Sequence, residues 1–247
     1  MNKKKLLVLA MTLSIVAILA IGGTLAYFTD TDSELNVFTH GNVEIEIDEI
    51  FPEDELMPGS ATECALQKEV YVENTGDNDA WMWVEILIPA AIDVPGNASK
   101  NDLHFNYYDT YKDAEGNLVV CSSAVATANG YTGPEYVINE LYLGSTKIDG
   151  TEFNRYLHYT ENDTAKANGE KTAALLAQVY MDSRVKQCTE EGHDEGCLVL
   201  QSGKHYPENI WEIVVNAYGI QAAGIDSIEE AINTYYAENE PAIVPGL

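Results

Sequence analysis

Four cysteines and five histidines are the side chains best equipped for chemistry in this sequence, and their spacing limits what they can do. Cys188 and Cys197 bracket the polar run TEEGHDEG, with His193 between them. Those three side chains could share a zinc ion, but the run has no C-x-x-C and supplies no fourth ligand. The other reading is a disulfide that staples the loop. Cys64 and Cys121 would then pair by elimination, one of three connectivities that four cysteines allow. The histidines, His40, His104, His158, His193 and His205, are scattered along the chain. None stands in H-E-x-x-H, the spacing that sets two zinc ligands and a general base on one helical face. A G-x-S-x-G nucleophile elbow and a Gly-rich phosphate loop are missing too. With 40 acids against 13 bases, two carboxylates adjacent in sequence say little, and most must form a solvated face. The acidic turns NTGDND and KDAEGN depart from the D-x-[DN]-x-[DN]-G calcium loop. The residues therefore assign no catalytic group, no metal site and no cofactor.

The one bond whose breaking the sequence does announce is near the N-terminus. Lys3, Lys4 and Lys5 precede a run without charge from Leu6 to Phe28, interrupted by Gly22-Gly23. Thr24 and Ala26 are small residues at positions −3 and −1 of a cut that would leave Tyr27 first, the pattern of a secretory signal peptide over residues 1–26. An uncleaved anchor is the alternative, since Leu25, Tyr27 and Phe28 could lengthen the apolar span. Cleavage would remove three of the 13 bases and no acid, making the chain still more negative than its net charge of −27. Such a charge argues against nucleic acid, whose phosphates need Lys and Arg, and against anionic lipid. Membrane contact is then expected only through the signal segment before cleavage. Outside the membrane, disulfides would be permitted. The apolar fraction is that of a folded domain, and the length suits one large β domain or two small ones.

Strand patterns fill most of the remainder. In NVEIEID, Val43, Ile45 and Ile47 share one face, while Glu44, Glu46 and Asp48 share the other, the period of a half-buried strand. Pro58-Gly59 reads as a turn. KEVYVEN and AWMWVEILI read as two strands joined by TGDND, with Met82, Val84, Ile86 and Ile88 on the core side. Residues 93–150 are irregular and read as an insertion or cap: two strands around a DAEGN turn, a loop at ANGYTGPEY, and YVINELYL as strand or short helix. RYLHYTEND reads as a strand. KTAALLAQVYM has helical composition, yet its turn-bounded context favours a strand from Ala174 to Met181. NIWEIVVNAYGIQA is a further strand. In DSIEEAINTYYAE, Ser227 and Glu230 form a capping box, and Ile228, Ala231, Ile232 and Tyr235 make one apolar stripe. Residues 41–222 thus predict an antiparallel, mostly β sandwich, with a short helix and tail in 223–247.

GGTLAYFTDTD, NVFTHGNVEIEIDE, PGSATECALQKEVYVENTGDNDAWMWVEI and IVVNAYGIQAAGIDSIEEA together resemble the TasA/camelysin family. The resemblance covers roughly residues 1–90 and 205–235, and the signal segment is its most specific part. It implies a jelly-roll-like sandwich and secretion to the matrix or surface of a Gram-positive bacterium. It also implies processing by a SipW-type signal peptidase and, for some members, assembly into biofilm-matrix fibres. The cysteines are a departure from the fibre-forming members. Camelysin itself is described as a surface metalloprotease, an activity for which this sequence offers no zinc motif.

Residues 27–40 follow the cut without a linker. Tyr27, Thr29, Thr31, Leu35 and Val37 would line one face of an extended strand. Freed at its N-terminus by cleavage, such a strand can complete a neighbour's sheet, and the resemblance implies fibres joined in this way. The plainer expectation is that residues 27–38 pair within their own domain. A third function class, adhesion, rests on Trp81 and Trp83, which face away from the core side of their strand and could stack on sugars if exposed. The favoured reading is that residues 93–150 or a docked strand cover them, as large aromatics are mostly buried.

Overall fold

The period-two pattern of NVEIEID is realised in β1 (Ile45–Ile50): Val43 and Ile45 are buried while Glu44 and Glu46 are exposed. The computed structural model describes residues 43–50, 56, 58–60, 65–161, 163–187, 198–206 and 213–239. After β1 come β2 (Pro58–Gly59), β3 (Leu66–Asn74) and β4 (Ala80–Pro89). A 3-10 turn at Ala98–Lys100 leads to β5 (Leu103–Asn106), β6 (Thr110–Lys112) and β7 (Leu118–Val120). Helix α1 (Ser123–Asn129) precedes β8 (Thr132–Tyr136), β9 (Ile138–Ile148) and β10 (Thr151–Thr160). The remaining elements are β11 (Leu176–Asp182), β12 (Lys186–Gln187), β13 (Leu198–Val199), β14 (His205–Tyr206), β15 (Val214–Gln221) and α2 (Ile228–Asn239).

Two sheets make the body. One runs β1-β3-β11-β2, with β5 also paired to β11; the other runs β15-β4-β10-β9. Pairing is antiparallel except between β11 and β2. Val70 and Val72 of the first sheet meet Met82, Val84 and Ile86 of the second in one buried cluster, together with Leu176, Val179, Val215 and Ala217. That shared cluster is what makes the pair of sheets a sandwich. Burying each Val, Leu or Ile side chain fully contributes roughly 1.5–3 kcal/mol. Strand β4 is buried along its whole length because its outer face is covered as well. There Trp81, Trp83, Leu157 and Tyr159 pack beneath Ile228, Ala231, Ile232 and Tyr236 of α2. The predicted capping box holds the entry to α2: Glu230 N–H donates to Ser227 Oγ at 3.2 Å, and the Glu230 carboxylate accepts from Asp226 N–H at 2.8 Å.

β3 and β4, expected to form a hairpin, instead lie in different sheets, and the loop that crosses between them is fixed by Asn74, which has no exposed surface. Its amide donates to the carbonyls of Asn78 at 2.8 Å and Lys166 at 2.7 Å, and its Oδ1 accepts from Gly76 N–H at 3.0 Å. Both backbone groups of Asn74 bond the 169–170 turn. A buried amide is stable only when so fully partnered.

Several expectations change. The segment 93–150 is no separate cap: it supplies β5 to one sheet and β9 to the other, and all these elements lie in one unit spanning Leu35–Leu247. Within it, β6, β7, β8 and α1 lie outside both of these sheets, as does the small sheet β12-β13-β14 further along the chain. ANGYTGPEY is not a loop, because its second half is β8, and SSAVATAN before it is a helix capped by Ser122. Pro58-Gly59 is a short strand rather than a turn, held parallel to Met181 and Asp182. KTAALLAQVYM does contain a strand, where pairing on both sides overrides Ala and Leu propensity. YVINELYL resolves as the strand β9.

Candidate functional site

Thr24, Ala26, Tyr27, Thr29, Thr31, Leu35 and Val37 lie outside the described residues, as do Cys64, Cys188, Cys197, His40 and His193. Cys121 is a free buried thiol just after β7, packed with Tyr111 and Ala126, and burial pushes its ionisation above the ordinary thiol value. Trp81 and Trp83, the candidates for a glycan-stacking surface, are 8 % and 0 % exposed. The C-terminal helix covers them, with Leu143 of β9 beside it. Trp83 stacks on its cross-strand neighbour Tyr218, ring centres 6.0 Å apart, and meets Tyr235 edge-on at 5.5 Å. The Trp81 indole N–H donates to the Ile225 carbonyl at 3.1 Å. Both rings are structural.

The polar side chains of the interior form three constellations, none of them obvious from spacing. Beneath α2, Arg155 makes a two-pronged ion pair with Glu85, which also accepts from the hydroxyls of Tyr218 at 3.3 Å and Tyr236 at 3.4 Å. Burial and the Glu85 charge push both phenols above their ordinary values, so they act here as donors. Strand β10 places Arg155 and Leu157 on this outer face and Asn154, Tyr156 and His158 on the opposite one.

On the inner side, Asp93 accepts from Tyr156 at 2.6 Å, Asn154 at 2.7 Å and Asn101 at 2.7 Å. Desolvation raises its carboxyl above the ordinary aspartate value, only partly offset by those three donors. Nearby, His158 bridges the Leu175 carbonyl at 2.8 Å and the Glu140 carboxylate at 3.1 Å. Burial pushes Glu140 up, but the hydrogen bond and charge of His158, with a further bond from Tyr107, outweigh it and hold the carboxyl below the usual range. The third group lies at the β5–β11 end. There Asp182 takes two bonds from the Arg184 side chain at 2.7 Å and one from His104 at 3.0 Å, which hold it far below the usual aspartate value. His104 also stacks on Tyr180, ring centres 4.7 Å apart.

These carboxylates and histidines are spent on one another. Among the described residues no three His, Cys, Asp or Glu side chains converge as metal ligands. His104 and His158 each face one carboxylate rather than a shared ion. The described part of the molecule thus holds closed polar clusters that tie its strands together.

What it leaves open is strand edges. β1, β15 and β9 each pair on one side alone among the described residues. β1 and β15 border the same seam of the sandwich, where Val43 and Ile45 reach across to Gly219. Edge strands present unpaired N–H and C=O groups and are natural sites for another strand to add. No single residue in the sequence announces them; they follow from which strands end up outermost.

Residues 2–104 match the model of the family described as camelysin metallo-endopeptidase. This is the family the sequence resembles, and the match runs from the N-terminal segment through β1, β3 and β4. No curated protein matches the chain. Among the described residues no helix is long and apolar enough to cross a membrane.

Proposed function

We propose, with that family match as premise, that this protein is a secreted structural subunit of a cell-surface or biofilm-matrix fibre. A SipW-type signal peptidase cuts after Ala26, and the strand beginning at Tyr27 is donated to the sheet of the next copy. The observation that carries this reading is the reach of the match, which joins the signal-type segment to the first strands of a sandwich in one family unit. The family's association with the cell surface agrees with it. Head-to-tail donation does not close on itself and so builds filaments. The buried clusters support the same reading, since they rigidify the body while β1, β15 and β9 pair on one side alone among the described residues.

The test is negative-stain microscopy of the chain beginning at Tyr27 beside a form lacking residues 27–38, at equal concentration. Filaments from the first and folded monomers from the second are expected. Monodisperse particles from the longer form would overturn the proposal.

The family's printed description favours a second reading, an endopeptidase. A zinc titration followed by calorimetry, paired with digestion of an unstructured protein, separates the two. Stoichiometric metal together with metal-dependent cleavage would establish the enzyme.

A further inference from the structure

We propose that the outer edge of β15 is the acceptor for residues 27–38 of a second copy. This rests on the strand-donation reading above and names the surface that reading leaves open. The edges differ in ways that bear directly on strand addition. β9 is interrupted: its register with β10 shifts between Arg155 and Tyr156, opposite Gly144 at φ +95°, and it carries Glu140 and Lys147. Bulges and charges of this kind blunt an edge. β1 is regular but holds Glu46, Asp48 and Glu49 within six residues. The expected donor brings Asp30, Asp32 and Glu34 and no base. Lys171 and Lys68 already engage Asp48 and Glu49, so β1 has no cation to spare for a second acidic strand. In the first sheet, β2 and β5 offer two and four residues.

β15 has none of these obstacles. Its sequence VVNAYGIQ carries no charge, and its pairing with β4 runs without a shift from Val214↔Leu87 to Gln221↔Ala80. Eight residues at roughly 3.4 Å each give an edge of about 27 Å, which a twelve-residue donor more than spans. Its seam position adds a second reason. Val43, where the described chain begins, packs within van der Waals reach of Gly219 at the middle of β15. The described residues thus begin beside the edge proposed to receive the neighbour's strand.

Hydrogen–deuterium exchange on the chain beginning at Tyr27, before and after filament formation, tests this. The expected result is new protection within Val214–Gln221 on assembly, with Ile138–Ile148 unchanged. Filaments whose new protection falls on β9 or β1 would overturn the acceptor assignment and leave strand donation standing. Protection of β15 that is already complete in the monomer and unchanged on assembly would show that each copy's own segment fills the edge, and would overturn it too. No filaments at all would sink the donation reading itself. A charge pair supplies an independent check at the last edge residue. Gln221→Glu should slow filament growth about two- to five-fold, the effect of one like charge across a strand pair, whereas Gln221→Lys should not. Equal rates for the two variants, with unchanged melting, would count against the proposal.

Discussion

The two faces of the β15-β4-β10-β9 sheet solve the same problem with different materials. Its inner face meets the other sheet through Met82, Val84, Ile86 and Ile88, with alternation alone providing the apolar surface. The outer face of β4 carries Trp81, Trp83, Glu85 and Leu87, and is covered by a helix some 140 residues later in the chain. A face built from small branched side chains fits whatever apolar layer lies opposite. One built from tryptophans and an ion pair fits only its own cover. The inner face should therefore be tolerant and the outer face exacting.

The largest effect that would sharpen this contrast comes from Trp83, which is wholly buried. Trp83→Ala should cost about 3–5 kcal/mol, whereas Ile86→Val on the inner face should cost about 0.5–1.5 kcal/mol. Urea denaturation of both variants reads the difference directly. Equal losses would mean the helix adapts, and the contrast would fail.

A slightly smaller effect probes the ion pair. Arg155→Met leaves the Glu85 carboxylate buried with only two phenols to solvate it, and should cost about 3 kcal/mol or more. Adding Glu85→Leu should recover much of that loss, because desolvating two charges is itself expensive. A double-mutant cycle checks this, and a double variant no more stable than Arg155→Met would show the pair to be net stabilising.

How far these faces could be read beforehand differs for a physical reason. The inner face was legible because alternation in VEIEI and in MWVEILI is local. So was the capping box at Ser227 and Glu230, and so was the apolar stripe of the helix. That Trp81 and Trp83 are covered follows from their size, but not that the C-terminal helix rather than residues 93–150 or a docked strand covers them, since a stripe states that a helix docks without saying where. The Glu85–Arg155 partnership joins positions 70 residues apart, and among so many acids nothing marked Glu85 as the buried one. The way residues 93–150 feed strands into both sheets is hidden for a similar reason. β5 and β9 are short or edge strands with weak alternation, and their partners β11 and β10 come later in sequence. Of the candidate site, the proposed leader and donor are read only from sequence, and the proposed acceptor only from topology.

The carboxylates whose folded-state values are shifted predict a pH response in two stages. Asp93, Asp102 and Asp163 are raised in the folded state, chiefly by desolvation. Groups with a raised folded value stabilise below their unfolded value and lose that contribution as pH rises through the folded value. Lowering pH from 7 toward about 5 should therefore leave the melting temperature level or slightly higher, an effect aided by relief of net negative charge. Glu140 and Asp182 are lowered, so their contribution is present above the unfolded value and lost as pH falls through the folded one. Melting should fall below about pH 4, where ordinary carboxylates titrate. A melt series by circular dichroism, repeated with Asp93→Asn, checks the assignment: the variant should lose part of the gain near pH 5 and keep the acid fall.

The smallest effect tests how tolerant the inner face is at its edge. A Cβ added at Gly219 would sit 3.1 Å from Ile45 Cγ2 and 3.3 Å from Val43 Cγ1. Those contacts are tight, but both belong to side-chain methyls on the edge of the seam, which can yield by a few tenths of an ångström. Against that crowding stands the entropy of a glycine in a strand interior, a handicap of roughly 0.5–1 kcal/mol that alanine removes. Gly219→Ala should therefore change stability by less than about 1 kcal/mol in either direction, since crowding and entropy nearly cancel. Gly219→Val adds two methyls that those neighbours cannot clear, and should cost about 1–3 kcal/mol, the usual range for overpacking. If Gly219→Ala alone cost that much, Val43 and Ile45 would be as rigidly fitted as Trp83 beneath its helix, and the difference between the two faces would vanish at the seam.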